Sequence, residues 1–313
     1  MALAQVKYAV TAPKSIATGL AMATLGAIAF SGKAIIVKLA YRHGVDAVTL
    51  IMLRMLFALP FFLAMVWWTS RPRAGKALIG LTRQDWLGVI GLGVTGYYLA
   101  SFLDFAGLQY VTASLERLIL YLNPTLVLLL GWALVGRRIS RHQGWGMAIS
   151  YGGVLLVFGH EVTLQGADVG LGALLVFLSA VSYALYLFYS GEMVQRLGAL
   201  RLVGLATSVA CVLCITQYVV LRPLDSVLSV APQVVWLSVL NATLCTVVPV
   251  MLVMMAIERV GSSLAAQVGM VGPMSTMLMG VVLLNEPFSA WLVAGTTLVL
   301  VGVAVCTRAK RAA

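Results

Sequence analysis

Six ionisable side chains stand inside long apolar stretches of this sequence. They are the carboxylates Asp104 and Glu116 and the cations Lys33, Lys38, Arg54 and Arg117. A charge at mid-bilayer costs roughly 2.5–3.5 kcal/mol on insertion scales, so such groups turn toward a bundle interior, a wet cavity or a partner. Asp104 lies about six or seven residues before a tight turn near residues 110–111, and Arg117 the same distance after it. At ~1.5 Å per residue both sit roughly 10 Å from that turn and can meet across the hairpin. Glu116 is rotated about 100° from Arg117, because neighbours on a helix do not share a face. Two readings follow. In one, Asp104 and Arg117 form a structural ion pair, with Glu116 placed near a helix N-terminus where the dipole favours an anion. In the other, Glu116 or Arg117 contacts a substrate or a coupling proton. Lys33 lies too deep to reach the interface easily and is expected to meet water, a substrate carboxylate or a helix break.

Pro124 and Pro273 each remove an amide donor, which frees the carbonyls of Leu120 and Gly269. Unpaired backbone is costly in lipid, so both breaks are expected to face protein or a cavity. Tyr121, Asn123 and Gln267 flank them and either line that cavity or bond between helices. Tyr97, Tyr98 and Phe102, and further on Tyr183 and Tyr186, are mid-span aromatics that either stack on a substrate or simply pack. The stretch GLGVTG at 91–96 matches G-x-G-x-x-G by letter, yet it lacks the strand-to-helix setting a dinucleotide needs. Its glycines, with Gly88, are expected to let helices approach. Cys211 and Cys214 read as small buried residues, not as a redox or metal pair. No hydrolase arrangement stands out, and neither a cofactor nor a metal is called for.

The elements that must position these groups are membrane helices. Of 313 residues 61% are hydrophobic and only 10% charged, too few to cover a soluble domain. Apolar runs of about 20 residues recur, and the short alternating strands of a β-barrel do not. Ten spans are predicted, at 17–39, 46–69, 86–109, 112–135, 143–159, 168–191, 199–222, 232–257, 261–284 and 288–307. The N-terminal stretch reads as a retained first helix. Lys and Arg crowd the segments on one side, which places both termini in the cytoplasm. The net charge of +11 comes from these short loops, so nucleic acid is excluded as a partner. Adding 149 carries Val111, Ser114 and Leu115 onto Val260, Ser263 and Leu264, Pro124 onto Pro273, and Gly146 and Gly153 onto Gly295 and Gly302. Five spans per half make the second copy inverted. The chain therefore reads as an all-α polytopic membrane protein of ten transmembrane helices in two inverted repeats, 1–160 and 161–313. Matching proline breaks in the halves point to a secondary transporter.

The segments YYLASFLDFAGLQYVTASLERLILYLNPTLVLLLGWAL and AIERVGSSLAAQVGMVGPMSTMLMGVVLLNEPFS resemble the drug/metabolite transporter superfamily, in particular its EamA-type ten-helix branch. The resemblance implies a 5+5 basket with a central cavity, in the bacterial inner membrane, exporting amino acids or other small metabolites by alternating access. Where such repeats often end in Gly-Glu, the second half has Asn285-Glu286 and the first has Arg137-Arg138, which gives Glu286 a helix-end role. A zwitterion would find Lys33 or Arg117 for its carboxylate and Glu116 or a tyrosine face for its amine. A proton-coupled drug efflux carrier is the alternative, and a passive pore or membrane scaffold is the alternative of another class. The expected partners are a small-molecule substrate, membrane lipid and, in the second reading, protons.

Overall fold

The computed structural model describes residues 13–71, 80–260, 264–265, 268–269 and 271–309. These residues form helices and turns, with no strand among them. The helices are α1 (Pro13–Tyr41), α2 (Ala47–Thr69), α3 (Arg83–Gly107), α4 (Ala113–Val135) and α5 (Arg141–Gln165) in the first half. The second half has α6 (Asp168–Leu197), α7 (Ala199–Leu221), α8 (Pro232–Ile257), α9 (Val271–Leu284) and α10 (Ala290–Ala309). All but α9 are long and apolar enough to cross a bilayer. Their outer faces present bare hydrocarbon, as lipid requires: Leu155, Val220 and Leu278 are mostly exposed. Trp67 and Trp68 end α2, with the Arg71 guanidinium 3.5 Å above the Trp67 ring. α5 runs on past residue 160, and the chain turns only at Gly166, with φ 89°.

Backbone irregularities recur at the repeat distance. Both α3 and α8 contain a π-helical segment, Val94–Leu99 and Thr243–Val247, whose first residues are 149 apart. α4 ends at Gly136 with φ 67°, and α9 at Asn285 with φ 58°, again 149 apart. The next amide in each case, that of Arg137 or Glu286, donates back to the carbonyl of Gly131 or Gly280. This closing turn needs a left-handed residue, and only Gly or Asn adopts that state at low cost. The first-half counterpart of Asn285-Glu286 is thus Gly136-Arg137, one residue earlier than the pair expected from sequence.

α5 and α10 pack glycine on glycine. A Cβ at Gly153 would lie 2.6 Å from the Gly295 carbonyl, and one at Gly302 2.5 Å from the Gly146 carbonyl. At the midpoint the Ser150 hydroxyl lies 3.5 Å from the carbonyl of Val299, its own repeat mate. The repeat maps this contact onto itself, as a two-fold axis between the halves requires. Within GLGVTG, Gly93 admits the Ala206 carbonyl and Gly96 the Tyr186 ring, each within 2.7 Å of a Cβ position. Gly88 likewise makes room for Met193, whereas Gly91 has no neighbour within 4 Å and is exposed.

Candidate functional site

Lys33 on α1 reaches the seam between α3 and α4. Its Nζ lies 2.5 Å from Asp104 Oδ2 and 3.2 Å from Glu116 Oε1. The side chain of Glu116 is fully buried, and those of Asp104 and Lys33 are 3% and 14% exposed. Three formal charges therefore sum to one negative in a largely buried cluster. Asp104 Oδ1 and Glu116 Oε2 lack a hydrogen-bond donor, and Glu116 Oε1 meets only the Lys33 ammonium, without hydrogen-bond geometry. The expected Asp104–Arg117 ion pair does not form. Depth places those residues level, but the helix standing beside the α3–α4 seam is α1, and its ammonium takes the carboxylate.

Arg117 turns the other way, as its rotation from Glu116 requires. Its Nη2 donates to the Ser31 hydroxyl on α1 at 3.3 Å, and its buried Nε has no partner. The guanidinium lies against Gly272, where a Cβ would come within 3.1 Å of Nη2. Ser31 in turn donates to the Gly272 carbonyl at 2.8 Å. The Tyr121 hydroxyl donates to the Gly269 carbonyl at 2.7 Å. Pro273 has no amide to give that carbonyl, which accepts from the Gly272 amide at 3.0 Å as well, so a residue flanking one break bonds across to the other. Asn123 is half-buried, and its Oδ1 lacks a donor. Pro124 stands one residue into the helix that restarts at Asn123. Gln267 lies outside the described residues.

The aromatic candidates are not gathered at this ion cluster. Tyr97 and Tyr186 share a hydroxyl–hydroxyl bond of 3.2 Å with rings edge to face, and Tyr183 stacks on Tyr186 at 5.4 Å. They pack with Val89, Leu92 and Leu202 in an apolar cluster of α3, α6 and α7. Tyr98 and Phe102 instead pack against the core that contains Phe105, Cys211 and Cys214. The four cysteines are free and buried.

Where α1 ends and α3 turns into α4, polar side chains tie the halves together. Glu286 accepts from the Ala113 amide at 2.7 Å and the Ser114 hydroxyl at 2.7 Å, capping α4 from the other repeat. Glu161 on α5 accepts from the Thr112 hydroxyl. Lys38 donates to the Leu108 and Val111 carbonyls at 3.1 and 2.9 Å, and Arg42 to the Leu284 carbonyl at 2.7 Å. Cations thus sit at the carbonyl ends of α3 and α9, and an anion at the amide end of α4, as helix dipoles favour. Sequence reasoning left out Ser31, whose small hydroxyl carries no signal. It noted Arg54 without giving it a place.

An inverted pair of five-helix halves, with buried charges beside matched helix breaks, defines a polytopic membrane transporter. The EamA-like transporter family matches residues 17–159 and again 170–308, and the chain belongs to that family. It is therefore a transporter of small substrates and not an enzyme. It is 29% identical over 279 residues to the uncharacterized transporter YcbK of Bacillus subtilis (strain 168), covering 87% of each chain. An uncharacterized transporter of Archaeoglobus fulgidus is 21% identical over 280 residues, covering 89% of this chain and 93% of its own. A solved crystal structure shares the fold at a TM-score of 0.62 and 18% identity, over 95% of this chain and 98% of that one.

Proposed function

We propose that the protein exports amino acids or related zwitterions across a bacterial inner membrane by alternating access, with both termini in the cytoplasm and halves 1–160 and 161–313 rocking on each other. The observation that carries this reading is the division of the buried charges. Lys33 is held by two carboxylates, so Arg117 is left to take a substrate carboxylate, beside the break where Gly272 abuts its guanidinium and Tyr121 bonds the Gly269 carbonyl. Asp104 and Glu116 carry together one more negative charge than Lys33 neutralises, and that excess draws the substrate's amine. The test is flux of a labelled amino-acid panel in proteoliposomes. Arg117→Ala and Glu116→Gln, reconstituted at wild-type abundance, are expected to lose uptake and counterflow. Normal transport by both would end the proposal, and saturable counterflow would exclude a passive pore.

The same charge imbalance supports a second reading, proton-coupled efflux of drugs. Two carboxylates share one ammonium in direct contact, while Arg54 and Arg117 act on them only from beyond contact distance, so a proton held between the carboxylates is the charge the cluster can exchange. An imposed pH gradient is then expected to drive flux in wild-type vesicles and not in Glu116→Gln. Flux indifferent to the gradient removes this reading and leaves the first intact.

A further inference from the structure

Arg54 lies in the middle of α2 and is 6% exposed, yet it forms no salt bridge with any described residue. Its Nε donates to the Thr246 hydroxyl at 3.1 Å, its guanidinium stands 5.2 Å above the Phe105 ring, and its buried Nη1 has no partner. Asp104, next to Phe105, spends its contacts on Lys33 and acts on Arg54 only through space. Thr246 belongs to the π-helical segment of α8 and donates to the Asn241 carbonyl at 2.9 Å. On the part of α8 that packs against α2, Asn241 is 1% exposed and Ser238 fully buried. Both side-chain atoms of Asn241 and the Ser238 hydroxyl lack partners. A buried guanidinium is stable when its charge is met and its N–H groups are satisfied. An amide and a hydroxyl left open on the facing helix complete the donors that a two-oxygen anion requires.

We propose that Arg54, Asn241 and Ser238 form a carboxylate-binding site at the π-helical turn of α8, separate from Arg117. The Arg54 N–H and the Asn241 amide each donate to a carboxylate oxygen, and the Ser238 hydroxyl donates a third bond. The π-helical turn contributes by bringing the Thr246 hydroxyl onto Arg54 Nε, which fixes the plane of the guanidinium. The identification of the ligand as a transported organic acid rests on the transport reading above. The binding site itself is tested without transport.

The experiment uses the full chain, purified into lipid nanodiscs, and follows its thermal unfolding with acetate, benzoate, succinate and L-leucine. Acetamide and benzamide serve as uncharged controls, and sodium chloride as the ionic control. At least one carboxylate is expected to raise the unfolding temperature in a saturable way that the amides and chloride do not reproduce. Arg54→Gln abolishes that rise, Asn241→Leu weakens the apparent affinity about tenfold through the lost bond to a charged group, and Arg117→Gln retains it. The proposal is overturned if no carboxylate shifts the wild type, if chloride or the amides shift it equally, or if the shift survives in Arg54→Gln. Should Arg54→Gln fail to fold, Asn241→Leu decides by the same comparison. A shift lost in Arg117→Gln but kept in Arg54→Gln overturns this site and leaves the Arg117 reading standing. Loss in both variants means one carboxylate bridging the two guanidinium groups, and overturns a separate site.

Discussion

α4 begins with Glu116 and Arg117 in its first turns, whereas the matching places in the second half are Ala265 and Ala266. Features farther along the chain on either side are nonetheless duplicated, namely the π-helical segments at Val94 and Thr243 and the left-handed ends at Gly136 and Asn285. The first half thus carries ions at positions where the second has alanine. The ends differ similarly. Glu286 reaches across to cap α4, while its mate Arg137 is exposed and leans on Gly131.

Removing the Lys33 ammonium would break this contrast most sharply. Lys33→Met leaves two buried carboxylates facing each other and is expected to cost about 3–5 kcal/mol, read as lost folded protein and a lower unfolding temperature in detergent. Adding Asp104→Asn and Glu116→Gln should restore most of that stability, since it removes the uncompensated buried charges. If Lys33→Met is as stable as wild type, the triad is not the charged core described above.

Duplicated features should respond equally in both halves. Gly153→Ala and its mate Gly302→Ala each push a Cβ to 2.6 and 2.5 Å from a partner carbonyl, and each should destabilise by about 1–3 kcal/mol. Unequal losses in paired thermal unfolding would argue against a symmetric α5–α10 contact. The helix-end residues should respond unequally. Glu286→Gln weakens the cap on α4 and is expected to cost about 1 kcal/mol, while Arg137→Ala stays within about 0.5 kcal/mol. Equal effects would remove the asymmetry of the ends.

The smallest effect concerns Asp46, which caps α2 where Gly198 stands before α7 without a side chain. Burial alone would push the Asp46 carboxyl up. Hydrogen bonds from the Thr49 hydroxyl and amide, together with the Arg222 guanidinium, outweigh it and hold the group below its ordinary 3.8. The charged form therefore stabilises the fold above that value, and the contribution is lost as pH falls through the lower folded value. Unfolding temperatures measured between about pH 2 and 4 should drop less steeply in Asp46→Asn than in wild type. Identical slopes would show that this cap adds nothing, as exposed ion pairs often do.

Much of the fold was legible because lipid imposes simple rules. Span length, the excess of cations on one side and the 149-residue repeat follow from hydropathy, charge and identity at fixed spacing. Pro124 and Pro273 pointed to breaks because a missing amide is visible as a residue type. The π-helical segments were hidden, since Val94–Leu99 and Thr243–Val247 share no residue type that marks an extra residue in the turn.

By itself the sequence determined that the chain is a ten-span membrane protein with two inverted halves, and that its buried ions lie in the first half. Composition and periodicity decide those properties locally, along the chain. Which ions pair was decided only in three dimensions. Asp104 and Arg117 stand at one depth, but depth is one coordinate, and packing brings Lys33 from α1 to the seam between α3 and α4. Helix-to-helix adjacency also put Arg117 beside Gly272, joined Tyr121 to the Gly269 carbonyl next to the Pro273 break, and left Arg54 facing α8.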